Sequence, residues 1–109
     1  MKLPNGERAI ADIAKFRDYC LNPHHPRGRN KARVFASLGI TQSDAELLRS
    51  AVLAAAVNAD AALSLANEDG QRYNVDFDLT HNGRTTGIRS SWIVRIGEDF
   101  PRLSTCYVI

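Results

Sequence analysis

The residues of this chain best suited to chemistry lie in one short run, Leu21-Asn22-Pro23-His24-His25-Pro26-Arg27-Gly28-Arg29-Asn30-Lys31-Ala32-Arg33-Val34-Phe35. It holds two imidazoles and four permanent cations, and no carboxylate occurs from Tyr19 through Ser43. Lacking a local counter-charge, His24, His25, Arg27, Arg29, Lys31 and Arg33 must meet distant acids, water or an anionic ligand such as phosphate. Metal-independent RNA cleavage is a reaction such a set can support. It needs a base for the 2′-hydroxyl, an acid for the leaving oxygen, and cations around a phosphate whose charge grows in the transition state. Histidine can take either proton role because its reference pKa of ~6.5 populates both forms near neutrality. Arginine can grip two phosphate oxygens at once.

On this reading His25, Arg27 and Lys31 are the candidate catalytic residues. Arg33 joins them as a phosphate ligand, and alternation in the second half of the chain adds Arg89, Arg95 and Asp76 as candidate substrate-binding residues. Plainer roles stand beside these. Imidazoles flanked by Pro23 and Pro26 can cap backbone groups in a turn. Arg27 and Arg33 can pair with acids elsewhere in the fold. His81 falls at a hairpin tip, and Trp92 on an alternating apolar face reads as a core aromatic that would stack on bases only if exposed. Asp76 and Asp78 share a face, but an acidic pair alone does not make a metal site. Ser90-Ser91 lacks a nucleophile elbow. There is no phosphate-binding loop, dinucleotide fingerprint or zinc pattern, so no cofactor is expected.

The elements that would position these residues follow from periodicity. Ala9, Ile13, Phe16 and Cys20 recur at helical spacing, which predicts a first amphipathic helix over Glu7–Leu21, ended by Asn22-Pro23. A short helix over Asn30–Leu38 follows, with Asn30 as N-cap and Gly39 as its stop. Thr41 to Glu46 offers two overlapping capping boxes ahead of Leu47, Leu48, Ala51, Val52 and Ala55, predicting a third helix to about Val57. After Asp60 the pattern alternates. Ala61–Asn67 fits either a strand or a helix extension. Gln71–Thr80 places Tyr73, Val75, Phe77 and Leu79 on one face and Arg72, Asn74, Asp76 and Asp78 on the other. Asn82-Gly83 signals a two-residue hairpin turn. A partner strand over Thr85–Ile96 carries Ile88, Trp92, Val94 and Ile96 on its buried face and Arg89, Ser91 and Arg95 opposite. The last strand, Arg102–Ile109, sets Leu103, Thr105 and Tyr107 against Cys106 and Val108. The expected fold is a single α+β domain over residues 1–109, helices first and then a four-stranded, mainly antiparallel sheet.

Composition agrees with a globular domain. The chain has 109 residues, 44% of them hydrophobic, and a formal net charge of +2, too mild to identify a nucleic-acid binder by itself. The cysteines, Cys20 and Cys106, show no metal-ligand spacing and read as buried thiols. The longest apolar stretch, Ala51 to Ala66, is broken by Asn58 and Asp60 and is shorter than the ~18 residues a membrane span needs. No cleavable signal opens the chain, so a cytoplasmic protein without membrane contact is expected.

Leu21-Asn22-Pro23, His25-Pro26-Arg27-Gly28 and Lys31-Ala32-Arg33-Val34-Phe35-Ala36 resemble the signature of a small bacterial domain family of unestablished function. The likeness continues through Gly70-Gln71-Arg72-Tyr73, Gly83-Arg84, Trp92-Ile93-Val94-Arg95 and Pro101-Arg102-Leu103. It implies a domain found alone or at the C-terminus of phage- or toxin-associated proteins, and favours His25 over His24 for any function. The order of elements is also similar to the compact fold of barnase-, colicin- and RelE-like ribonuclease toxins, though no local catalytic signature of those enzymes is present. Two functions are therefore expected as alternatives. One is a toxin-like ribonuclease acting on RNA. The other is a non-enzymatic module of a two-component or phage-associated system, whose basic loop docks a co-encoded acidic protein. Dimerisation through the last strand is a further expectation.

Overall fold

Four strands form one antiparallel sheet in the order β1-β2-β3-β4: β1 (Ala61–Asn67), β2 (Gly70–His81), β3 (Arg84–Arg95) and β4 (Arg102–Val108). The structure, a computed structural model, describes residues Met1–Ile109. The long strands β2 and β3 pair over their whole length, from Gly70↔Arg95 to His81↔Arg84. Asn82 (φ 53°) and Gly83 (φ 75°) close the hairpin with two left-handed residues, the turn that the right-handed twist of a two-stranded ribbon favours.

Alternation decides which face the helices cover. Tyr73 and Val75 on β2, Ile88 and Trp92 on β3, and Leu103 and Cys106 on β4 are all buried, with Phe16, Phe35, Leu48 and Val52 from the helical layer packed against them. Ser90 is the one buried polar residue, and it is fully satisfied: its hydroxyl donates to the Val75 carbonyl (2.8 Å) and accepts from Trp92 Nε1 (2.9 Å). Trp92 therefore belongs to the core and offers no surface to a base. Cys20 and Cys106 are buried and unlinked. Ala61–Asn67 is a strand, so the helix-extension alternative falls.

The helical layer consists of α1 (Ile13–Lys15), which runs into a π-helical turn at Phe16–Cys20, then α2 (Arg29–Ser37) and α3 (Ala45–Asn58). The expected helix over Glu7–Leu21 is thus interrupted. A 3₁₀ turn at Gly6–Arg8 gives way to extended chain, because Ile10 forms a parallel bridge to Arg102, donating to the Pro101 carbonyl and accepting from the Leu103 N–H. Asp12 then restarts the helix by capping the Ala14 N–H at 2.9 Å. Of the two overlapping capping boxes, Thr41…Asp44 forms, while Glu46 instead accepts from Arg49 at 3.1 Å. The helix α2 begins after Gly28 rather than at an Asn30 cap, and it ends as expected: Gly39 N–H returns to Ala36 and Ile40 N–H to Phe35.

Two further expectations are corrected by the sheet. Ile96 is 74% exposed because β3 ends at Arg95 and the chain turns away at Gly97. In β4 the register shifts between Ser91↔Thr105 and Trp92↔Leu103, so one extra residue, Ser104, is inserted. That bulge puts Leu103 on the core side with Cys106, leaving Tyr107 opposite Arg89 on the other face.

Candidate functional site

The chain leaves the π-helical turn through Asn22, whose side-chain oxygen holds the His24 N–H at 2.9 Å. His25 then caps the turn that leads into α2. Its Nδ1 accepts from the N–H groups of Arg27 (3.1 Å) and Gly28 (3.2 Å), and its carbonyl accepts from Arg29 at 3.0 Å. Pro26 follows inside that turn, ahead of α2, where a missing N–H costs nothing. With Nδ1 accepting, the ring proton sits on Nε2. The imidazole packs edge-on against Tyr19, centroids 4.7 Å apart. A Cβ at Gly28 would come 2.7 Å from the Tyr19 carbonyl oxygen, so glycine is required for this close approach. The run His25-Pro26-Arg27-Gly28 is thereby explained as a turn, packed against Tyr19, that leads into α2. His25 opens on a hollow of about 290 Å³ shared with Asp12, Lys15, Asp18 and Tyr19.

The helix so started delivers Lys31. Ala32 and Phe35 are buried, which fixes the helix on β4 and sends the Lys31 ammonium over the Tyr107 ring, 4.6 Å from its centroid. Tyr107 is the register partner of Arg89, and Arg89 of Asp76. Arg89 grips Asp76 with both arms of its fork, Nε to Oδ1 at 2.8 Å and Nη2 to Oδ2 at 2.9 Å. The bidentate bond holds the Asp76 carboxyl below the usual carboxylate range and the Arg89 guanidinium above its own, with Tyr107 adding to the second effect. One row, Asp76–Arg89–Tyr107–Lys31, thus crosses three strands to the end of a helix on the face the core does not use. The next row along the strands is polar as well, with Ser91 donating to Asn74 at 3.0 Å.

Of the residues singled out from sequence, the structure brings together Lys31, Arg89 and Asp76. Tyr107, not among them, completes the set. His25 opens on its separate hollow. Arg27 and Arg33 are exposed on the approach to and surface of α2. Arg95 lies at the far end of the open sheet face, in a different cavity, beside Arg72. Six of the 14 Lys and Arg side chains form ion pairs with a carboxylate, and Arg27, Arg29, Lys31 and Arg33 are not among them. His81 sits 3.8 Å from Asp44 under the hairpin tip. No three His, Cys, Asp or Glu side chains gather as metal ligands, and no helix is long and apolar enough to cross a membrane.

Comparison with known proteins places the chain by family alone. No curated protein and no solved structure matches it. Residues 2–109 match the domain of unknown function DUF6883, and the chain belongs to that family.

Proposed function

We propose that this domain binds RNA across the open face of its sheet and cleaves it without a metal. The observation that carries this reading is the row Asp76–Arg89–Tyr107–Lys31, set beside cations of α2 that have no carboxylate partner. Lys31 and Arg89 receive the phosphate. Tyr107, the register partner of Arg89, whose ring lies under Lys31, exchanges the proton. Asp76 holds the guanidinium in orientation and is not itself the base, since the same bond favours its ionised, weakly basic form. Arg27 and Arg33 draw in the strand, as unpaired cations do at low salt. His25 enters as the cap that sets the helix carrying Lys31. In the reaction the 2′-oxygen bonds to phosphorus, the bond to the 5′-oxygen breaks, and the proton lost by the first oxygen is returned to the second. The product ends are a 2′,3′-cyclic phosphate and a free 5′-hydroxyl.

Incubating purified protein with RNA at low salt tests this. Cleavage leaving cyclic phosphate ends, lost in Lys31→Ala, Arg89→Ala and Tyr107→Phe while the fold is kept, supports it. Protein that neither binds nor cleaves RNA under those conditions overturns it. The same unpaired cations also suit a module that docks an acidic protein. In that case binding would follow Arg27, Arg29 and Arg33 and be indifferent to Tyr107→Phe.

A further inference from the structure

Four residues along the strands from Asp76 and Arg89, on the same open face, the sheet holds its largest cavity, about 510 Å³. Arg72 of β2 and Ile93 of β3 are register partners in it, and Arg95 stands one alternate position beyond. Glu68 and Asp69, from the β1–β2 turn, line the same cavity. Ile93, only 8% exposed, gives the floor an apolar patch. Arg72 spends one nitrogen on Ser104 Oγ at 3.3 Å, and Arg95 has no ion-pair partner. Neither Glu68 nor Asp69 has one either. Two carboxylates and two guanidiniums therefore line one cavity without pairing with each other.

That arrangement selects its ligand by exclusion. A phosphate entering the cavity would meet two carboxylates, and a metal ion or amine would meet two guanidiniums. A neutral, flat group with paired donors on one edge and paired acceptors on the next satisfies both kinds of charge. Guanine has this pattern: its N1–H and N2–H₂ suit a carboxylate, and its O6 and N7 suit an arginine fork. Adenine offers no such pair of adjacent donors. The ring would lie on Ile93, with a guanidinium plane able to stack on it.

Resting on the RNA reading above, we infer that the cavity lined by Glu68, Asp69, Arg72, Ile93 and Arg95 recognises a guanine base of the bound strand. Its distance from the catalytic row, roughly 13 Å at the ~3.3 Å rise of a strand residue, sets a second consequence. The guanine read is not the base adjoining the phosphate at Arg89 and Lys31; it lies farther along the strand. Cleavage would then fall at a fixed offset from guanine.

The base site is tested by titrating the four ribonucleoside monophosphates against the protein, followed by NMR, and by mapping cut sites on an RNA of mixed sequence. GMP should bind about tenfold or more tightly than AMP, CMP or UMP, shifting Arg72, Arg95 and Ile93 resonances. In a Glu68→Gln, Asp69→Asn double variant that preference should fall to parity, with the amide spectrum showing that the fold is retained. Cuts should register with guanine at one offset. RNA binding or cleavage without base preference, or cuts that ignore guanine, would overturn the base site and leave the RNA reading standing. GMP preference in a protein that ignores RNA would do the reverse. Failure to bind either would sink both.

Discussion

The turn around His25 and the row through Arg89 teach opposite lessons about where chemistry can reside. The turn gathers imidazoles, prolines, glycine and arginine within a few consecutive residues, and the folded chain spends most of that chemistry on itself. His25 Nδ1 takes two backbone N–H groups, Pro26 sits in the turn ahead of the helix, and Gly28 makes room for Tyr19. The row draws one residue each from α2, β2, β3 and β4, none remarkable in its local sequence, and brings them into contact on a solvent-facing sheet. A dense local cluster can therefore be the means of leading the chain into a helix, while the polar row is assembled by register.

If that contrast is right, the two regions respond differently to mutation. The largest effect should come from Arg89→Ala in RNA cleavage, where loss of a donor to the charged phosphate should lower the rate by about 10²–10³-fold, with the melting temperature nearly unchanged. An equal fall in melting temperature would make Arg89 a structural residue and dissolve the distinction. Next in size is Gly28→Ala. The added Cβ, 2.7 Å from the Tyr19 oxygen, must push backbone against backbone, at a cost of about 1–3 kcal/mol by analogy with overpacked cores. Chemical denaturation would measure it, and an unchanged midpoint would show that the turn is not clamped on Tyr19.

The α+β fold, the element order, the β2–β3 hairpin and most of the third helix were legible because they rest on local signals: a sustained period, a capping box, Asn82-Gly83. The break in the first helix was not, because it is imposed from outside by the Ile10–Arg102 bridge, which joins residues distant in sequence. The site was half legible for the same reason. Alternation puts Asp76 and Arg89 on the polar faces of their own strands, and only the register makes them partners; the basic run includes Lys31 among its other cations without distinguishing it. Tyr107 required knowing that Ser104 is a bulge, since without it Tyr107 shares its side with Leu103 and reads as core. His25 was visible as an unusual residue, but its role as a cap depends on which backbone N–H groups face its ring.

A smaller effect separates the two regions from the other side. His25→Ala removes the acceptor for the Arg27 and Gly28 N–H groups and should destabilise the fold by about 1 kcal/mol, by analogy with a capping residue replaced by alanine. His25→Asn should recover most of it, because asparagine caps well and cannot act as a proton carrier near neutrality. Both variants should cleave RNA at the unmodified protein's rate wherever they are folded. A collapse of activity in His25→Asn with stability restored would move His25 from the helix start into the chemistry, and the contrast between turn and row would fail at its centre.

The smallest effect is expected from acid, and it asks whether the row is a unit. Hydrogen bonding to Arg89, then its charge, holds the Asp76 carboxyl below its ordinary value against an opposing desolvation. A folded-state value below the unfolded one means that the bond's full contribution is present above the unfolded value of ~3.9 and disappears as pH falls through the folded one. The stability difference between the unmodified protein and Asp76→Asn should therefore be constant near neutrality and shrink only below about pH 4. It should also be modest throughout, because the pair is open to solvent and screened there. Denaturation midpoints of the two proteins across that acid range would show this. A difference that persisted undiminished to the acid limit of folding would mean that Asp76 contributes through packing rather than charge. Arg89 would then keep its place without the charge of Asp76, and the row would reduce to its Lys31–Tyr107–Arg89 end.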